Sequence, residues 1–516
     1  MAEAGTKNGV AQNSNGICVP EASWIPSQRL KFIGRFEVTR GPDCISCGLC
    51  ASLCPYGVHS RIEGHARILP PYSYRCIGPE CAKNSYYCVS HCPTASLSVK
   101  ESEIFPALGD VRWTSEMILA TWRMAETGEP IALDHPANSG MSGGGFDKLS
   151  FRMPSSAGKL DTGNITTQIE LNRRKVGPKI TIPIPIYGGC MSFGSVSKYT
   201  MLARAKAAEK WGTFTNTGEG GYPDLLIPYK DHVITQIATG LFGVKEETIQ
   251  RAPIIEFKYA QGAKPGLGGH LLYEKNTIDV ARMREAVPHT SLFSPFPFHS
   301  VYSVEDHKKH LDWIWSVNPT ALLSVKVSTP NDVEMVAVGS YYAGANIVHL
   351  DGGYGGTGAA PEIAKKNIAM PIELALPRVH RFLLSEGIRD ELVVLASGGV
   401  RTAYDIAKAI ALGADGCILG TTELVAMGCT RCANCERGRG CPFGLTTTDP
   451  ELSALVDPEW GAERLANVYS SFEYQLREIL RRLAVPSVRE LRGRTDLLRY
   501  VGRGRRSETE GGRGSR

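Results

Sequence analysis

Twelve of the fifteen cysteines lie in three tight groups whose spacing suits iron–sulfur clusters, because thiolates are soft donors. The first group is Cys44-x2-Cys47-x2-Cys50-x3-Cys54-Pro55. Such a run wraps one loop around three corners of a 4Fe–4S cube and gives its fourth cysteine to a neighbouring cluster. The second group, Cys76-x4-Cys81-x6-Cys88-x3-Cys92-Pro93, is looser but closes on the same Cys-x3-Cys-Pro. A crossed arrangement follows: Cys44, Cys47, Cys50 and Cys92 around one 4Fe–4S cluster, and Cys76, Cys81, Cys88 and Cys54 around the other. A pair of zinc sites is the weaker reading, since zinc takes paired Cys-x2-Cys knuckles rather than a triple followed by Cys-Pro. Far along the chain stands a third group, Cys429-x2-Cys432-x2-Cys435-x5-Cys441-Pro442, which predicts a further cluster. Of the remaining three, Cys417 reads as core, Cys18 is isolated, and Cys190 reads more as a structural residue than as a site residue.

Glycine-rich turns suggest a phosphate site. They are Gly188-Gly189, Gly218-Glu219-Gly220-Gly221, Gly352-Gly353-Tyr354-Gly355-Gly356-Thr357-Gly358, Ser397-Gly398-Gly399 and Gly420-Thr421. Without a Cβ, backbone N–H groups can close on a phosphate. Gly353-x-Gly355-x2-Gly358 matches a dinucleotide fingerprint only formally, because no strand–turn–helix unit with a distal acid surrounds it. Clusters pass one electron at a time, whereas hydride transfer needs two, and a flavin converts between the two regimes. A phosphate-binding site beside a cluster therefore points to FMN.

The elements that must carry these groups are legible in outline. Residues 1–33 read as a polar leader. Residues 34–105 hold eight cysteines and few apolar runs, as expected of a small two-cluster, ferredoxin-like domain that needs metal to fold. Residues 106–165 form a connector, with a helical pattern at Ser115–Glu126 and a flexible stretch at Asn138–Gly145. Between 166 and 450, short apolar runs alternate with amphipathic stretches. The runs are Thr181–Tyr187, Ile254–Tyr259, Leu322–Val327, Ala345–Leu350, Leu392–Ala396 and Gly416–Leu419. The stretches between them are Lys198–Trp211, Ile278–Ala286, Asp332–Ala343 and Ala403–Leu412. Alternation of this length predicts a (β/α)8 TIM barrel, with a doubly wound open sheet as the alternative. In a barrel, the turns at 397–399 and 420–421 follow the last two strands and form the usual phosphate site, with the third cysteine group at the catalytic mouth. Residues 451–497 read as a helical extension and 498–516 as a disordered basic tail.

Composition narrows the function classes. Of 516 residues, 42% are hydrophobic and 21% charged, enough for a real core. Part of the net charge of +5 sits in Arg503–Arg516, where five Arg mix with four Gly; this reads as solvated chain rather than a nucleic-acid arm. No apolar run is long enough for a membrane span and no signal core follows Met1, so a cytoplasmic location is expected.

Residues 180–450 resemble the FMN-binding synthase domain of glutamate synthase. The resemblance rests on Met191-Ser-Phe-Gly-Ser195, Asn216-Thr-Gly-Glu-Gly-Gly221, Gln261-Gly-Ala-Lys-Pro-Gly266, Tyr302-Ser-Val-Glu-Asp306, Ser324-Val-Lys326, Gly355-Gly-Thr-Gly-Ala-Ala-Pro361 and Cys441-Pro442. With the cysteine-rich segment ahead of it, the chain resembles the archaeal-type stand-alone synthase subunit. The resemblance implies that reduced FMN passes a hydride to 2-iminoglutarate, formed from 2-oxoglutarate and ammonia, to give L-glutamate. It implies Lys264 and Arg284 on the dicarboxylate, Glu219 beside the flavin, and Lys326 near its ring. It places Met191, Ser192, Gly194, Asn216, Gly355, Gly356, Ser397, Gly398, Gly399, Gly420 and Thr421 around the cofactor. Two positions depart from the family: His270 stands where a substrate-contacting Gln is usual, and Tyr354 replaces an Asp. The family's three-cysteine 3Fe–4S pattern is met by Cys429, Cys435 and Cys441 with a longer last gap, and the extra Cys432 could complete a 4Fe–4S site. Residue 2 is Ala, so no N-terminal Cys nucleophile follows Met1. The expected partners are a separate glutaminase subunit, a glycine-repeat β-helix subunit, and an NAD(P)H-oxidising or ferredoxin electron donor, in a hetero-oligomer. An N-methylglutamate synthase subunit using methylamine, or a non-catalytic electron-transfer module, are the competing readings.

Overall fold

The computed structural model describes residues 10–12, 18–20, 25, 32–62, 64–65, 67–138, 140, 145–153, 165–293, 301–357, 360 and 362–501. Most of the polar leader, most of the Asn138–Gly145 stretch and the tail from 502 lie outside the described residues.

Eight parallel strands form the centre: β1 Ile186–Gly188, β2 Thr215–Asn216, β3 Val233–Ala238, β4 Ile254–Lys258, β5 Leu322–Ser328, β6 Ile347–Asp351, β7 Val393–Ser397 and β8 Gly416–Leu419. They neighbour one another in sequence order, and β8 returns to β1 through Leu419 opposite Gly188. Between β1 and β2, Gly188 N donates to Phe214 O at 2.8 Å, and Cys190 bridges Asn216. The ring is thus closed, and the open-sheet alternative falls. The strands are buried along their length on both faces, as parallel strands covered by helices must be.

The covering helices start and stop on local chemistry. Helix α1, Lys198–Trp211, begins where the Ser197 hydroxyl accepts from Thr200 N and ends at Gly212 with φ 63°. Helix α2, Ile278–Arg284, places Arg284 in its last turn. Helix α3, Ala403–Ala411, is capped by Thr402, whose hydroxyl accepts from Asp405 N.

Two details differ from the sequence pattern. The run Thr181–Tyr187 is not one strand: Thr181–Ile182 pairs antiparallel with Ile169–Glu170, and Pro183 and Pro185 separate it from β1. Strand β2 is only Thr215–Asn216, and Thr235 and Gln236 interrupt the apolar run of β3, so neither reads as a clear apolar run.

Ahead of the barrel, Phe36–Arg40 pairs antiparallel with Leu97–Glu101. The small core beneath this ribbon includes Phe36, Val38, Val58, Ile68, Leu97 and three cysteines, Cys50, Cys76 and Cys88. A second core joins this unit to the barrel. Tyr74 packs edge-on to Phe32 at 5.3 Å, Phe32 stacks on Trp122 at 4.3 Å, and Trp122 Nε1 donates to Val425 O at 3.0 Å. Trp122 lies on the helix Ser115–Thr127, and Val425 on the short helix Thr421–Ala426 that leads to Cys429. The long helix Pro458–Leu483 grips the same short helix: Arg464 Nε donates to Ala426 O at 2.8 Å, and the Tyr469 hydroxyl bonds Glu423.

Candidate active site

The strand register sets a chain of buried polar side chains inside the barrel mouth. Gln236 on β3 lies opposite Glu256 on β4, and Glu256 opposite Ser324 on β5. Glu256 accepts from Asn216 Nδ2 (3.0 Å), Gln236 Nε2 (2.6 Å), Cys190 Sγ (3.1 Å) and Ser324 Oγ (3.2 Å), and pairs with His349 Nδ1 at 3.0 Å. Burial alone would raise its pKa, but His349, Lys326 and the Cys190 hydrogen bond outweigh that and hold it at about 2. Lys326 Nζ is 3.5 Å from Cys190 Sγ and 3.4 Å from Asp351 Oδ2. Its burial would favour the neutral amine, yet Asp351, Cys190 and Glu256 hold its pKa above the ordinary lysine value. Ser397 Oγ donates to Asp351 Oδ1 at 2.6 Å and lies 2.7 Å from His349 Nε2, so its hydroxyl is engaged inside the barrel.

Above this layer, the loop after β2 and the long connection after β4 bring charges together. Glu219 lies in the loop after β2, Lys258 at the end of β4 and Lys264 in the loop after it, and Arg284 ends α2. Lys258 Nζ bonds Glu219 Oε2 at 3.0 Å. Arg284 Nη2 donates to Ser192 Oγ (3.2 Å) and Phe193 O (3.0 Å). Its Nε is buried with no hydrogen-bond partner among the described residues, a donor that a bound carboxylate would satisfy. Burial raises Glu219, but Lys258, Arg284 and Lys264 hold it below the usual carboxylate range. Burial lowers Arg284 to about 10 against the pull of Glu219. Burial and the neighbouring Lys258 bring Lys264 down to about 8, against Glu219 and Glu436. Lys264 therefore carries its charge below about pH 8 and loses it above, so a dianionic ligand binds best on the acid side. The expected result is a Kd for a small dicarboxylate, read by calorimetry, that is flat to about pH 8 and then rises up to about tenfold per pH unit.

His270 pairs with Phe293 on a short two-stranded ribbon, and its side chain lies outside the described residues. The neighbouring Gly269 is closed against Glu219: a Cβ there would overlap the carboxylate. Met191 and Ser192 pass under Gly218, and Gly194 faces Leu271 and Val280, on the Arg284 side of the mouth.

The other glycines meet across the mouth. A Cβ on Gly398 would overlap Gly352 O, and one on Gly356 would overlap Thr421 Oγ1, so these turns approach closely only as glycine. Gly398 and Gly399 have φ of 90° and 113°, a region that favours glycine. Gly420 opens on space, with nothing within 4 Å of a Cβ position. Gly355 lies beside Ala263 and Asp351. Such a cradle of close-packed backbone fits a phosphate-bearing group, and the buried Lys326 fits a neighbour that gains negative charge. Tyr354 packs on Gly399 and lies under the guanidinium of Arg112, 3.1 Å from its ring centroid.

The twelve clustered cysteines fall in three places. Cys44, Cys47, Cys50 and Cys92 line one cavity; Cys54, Cys76, Cys81 and Cys88 line another. These are the two crossed sets. In the second, burial and then the neighbouring cysteines push the Cys88 thiol up to about 12, an environment that disfavours a free thiolate. Gly78 N donates to Cys76 Sγ at 3.3 Å, the kind of backbone bond that cluster sulfurs accept. In the third group, Cys429 is pushed up to about 12, mainly by burial, with Cys435 and Cys441 adding to it, while Cys432 is exposed. Arg431 N donates to Cys429 Sγ at 3.4 Å, and Arg431 Nη1 lies 3.6 Å from where a Cβ on Gly356 would sit. Glu436, from the same loop, pairs with Lys275 at 3.0 Å. The third group thus adjoins both the glycine cradle and the charged pocket.

Sequence reasoning missed Lys258, Glu256, His349 and Asp351, and weighed Cys190 as structural. The available signal was two charges, Glu256 and Lys258, at strand spacing within an otherwise apolar run.

A family model described as "Conserved region in glutamate synthase" matches residues 148–485. The archaeal-type glutamate synthase (NADPH) of Thermotoga maritima is 34% identical over 484 residues, covering 89% of this chain and 93% of that protein. The archaeal glutamate synthase (NADPH) of Archaeoglobus fulgidus is 35% identical over 508 residues, covering 91% and 95%. The glutamate synthase (NADPH) large chain of Azospirillum brasilense is 35% identical over 320 residues, 60% of this chain and 21% of that one.

Proposed function

The chain belongs to the glutamate synthase family, a family of oxidoreductases, and from that premise we propose that it is the synthase subunit that aminates 2-oxoglutarate reductively to L-glutamate. The carrying observation is the pocket of Glu219, Lys258, Lys264 and Arg284, with a buried Arg284 Nε that has no partner among the described residues, beside a glycine cradle and a cysteine group. Lys264 and Arg284 would hold the two carboxylates of 2-oxoglutarate, by charge and by a planar fork. Glu219, kept ionised by Lys258, would hold the ammonium nitrogen and carry its proton away as the imine forms. FMN, when bound, supplies the hydride for the imine carbon. Its phosphate would rest on Gly398, Gly399, Gly420 and Thr421, with Gly355, Gly356, Met191, Ser192, Gly194 and Asn216 nearer the ring. Lys326 would favour the reduced, anionic ring, and Asp351 and Glu256 would fix that lysine in place.

Ammonia would come from solution or a separate glutaminase subunit. A glycine-repeat β-helix subunit and a separate electron donor would complete the assembly. The two crossed cysteine sets would each hold a 4Fe–4S cluster, and Cys429, Cys435 and Cys441 a 3Fe–4S cluster. On that reading, Cys432→Ser keeps the third cluster's electron paramagnetic resonance signal, whereas Cys429→Ser abolishes it and leaves the other two intact. Loss of the signal in Cys432→Ser would instead assign four cysteines to that site.

The deciding experiment is anaerobic. The protein is reduced, then given 2-oxoglutarate and ammonium. Flavin reoxidation with glutamate formed supports the proposal; reoxidation only with methylamine would move the reaction to N-methylglutamate; none at all, with flavin and clusters intact, would leave an electron relay.

A further inference from the structure

We propose that the cavity lined by Cys44, Cys47, Cys50 and Cys92 is the electron entry point, and that its rim docks a small acidic one-electron carrier protein. The inference rests on the proposed reading of the cysteine groups as clusters.

The two cavities differ in what surrounds them. Cys76 follows directly on Tyr74 and Arg75, which are buried against the connector: the Tyr74 hydroxyl bonds Glu126 at 2.7 Å, and Arg75 pairs with the same carboxylate. The stack of Tyr74, Phe32 and Trp122 continues to Val425, and Cys429 packs on that same core. The set containing Cys76 therefore faces the barrel and the third cysteine group.

The other set faces out. Cys47 is exposed, and beside it Ile45 is 66% exposed, Leu49 40% and Ile62 48%. Cations surround this apolar skin. Arg61 Nη1 reaches to 3.3 Å from a Cβ position on Gly48, within the cysteine loop. Arg67 is exposed next to Ile68, which bridges Arg61. Arg40 lines the cavity itself. Among the described residues, none of these three arginines forms an ion pair with an acid; Asp43 is the one acid in the loop from 41 to 50. A small apolar contact in a mainly cationic ring suits a brief, steered encounter of the kind electron carriers make. An acidic carrier meets that ring with the opposite sign.

Each encounter moves one electron from the carrier's reduced centre, which is oxidised, to this chain. Two encounters supply the two electrons which, with 2-oxoglutarate, ammonia and two protons, give glutamate and water.

The test uses the full holoprotein, the Arg61→Glu/Arg67→Glu variant and the charge-keeping Arg61→Lys/Arg67→Lys variant, with a small acidic two-cluster ferredoxin as probe. In low salt, charge reversal is expected to raise the Kd of the oxidised pair about tenfold or more and to flatten its salt dependence. The second-order rate of reduction by the reduced probe should fall about tenfold, while photoreduced deazariboflavin, an uncharged reductant, reduces all three proteins alike. The lysine variant should stay near the parent. Equal Kd and rate in parent and reversed variant would overturn the proposal. Docking and reduction without glutamate formation would support it while removing the proposed reaction. A purified protein without iron in the first cysteine set would remove both.

Discussion

With Arg284 replaced by methionine, the reduced protein is expected to be reoxidised by 2-oxoglutarate and ammonium about a hundred to a thousand times more slowly. Arg284 is 3% exposed, and its buried Nε has no hydrogen-bond partner among the described residues. Truncating one side of a buried, hydrogen-bonded charge pair costs about 2–5 kcal/mol, and each 1.4 kcal/mol is about tenfold in rate. Arg284→Lys keeps the charge and loses the fork, so it should recover part of the rate but not the affinity. The guanidinium also holds Ser192 and Phe193 O, so the control is reduction through the cysteine clusters. That step should keep its parent rate in both variants. A parent-like Kd for 2-oxoglutarate in Arg284→Met would remove Arg284 from the dicarboxylate site.

The second large effect is on stability. Glu256 is fully buried and serves as the common acceptor for four donors and a partner for His349. Glu256→Ala would leave those groups, and the Lys326 charge, without their carboxylate. Removing one partner of a buried charged network costs about 3–5 kcal/mol. For a domain of this size that is a fall of roughly 5–10 °C in the unfolding midpoint. Glu256→Gln keeps the shape and loses the charge, so it should fall between. The sign with pH follows. The folded pKa, about 2, is below the unfolded value of 4.5, so the carboxylate's contribution is complete above about pH 4.5 and is lost as pH falls toward 2. The alanine variant should therefore show a shallower loss of stability between those limits.

The parts of this molecule that the sequence disclosed are those set by local rules. Cysteine spacing is a short-range constraint, and the two crossed sets could be written down before any fold. Helix α1 is legible as the amphipathic stretch Lys198–Trp211, the bounds it has in the fold. The interior charges could not. Glu256 and His349 meet across 93 residues, and Asp351 and Ser397 across 46; a polar residue inside an apolar strand does not reveal what it will face. Cys190 illustrates the same limit. Beside two glycines it looked like packing, yet its sulfur lies between Glu256 and Lys326. Tyr354 was recognised as a departure from the family, but its cover, Arg112, comes from the connector far upstream.

The short helix Thr421–Ala426 bears on how such chains can be cut and recombined. It is held from one side by Trp122 and from the other by Arg464 and Tyr469, and it leads directly to Cys429. A fragment confined to residues 166–450 would keep every barrel strand yet lose all three clamps on the helix that leads to the third cysteine group. The heritable unit is therefore not the barrel alone. A segment exchanged between two relatives would have to bring the connector helix and the C-terminal helix from the same parent, although more than 300 residues separate them.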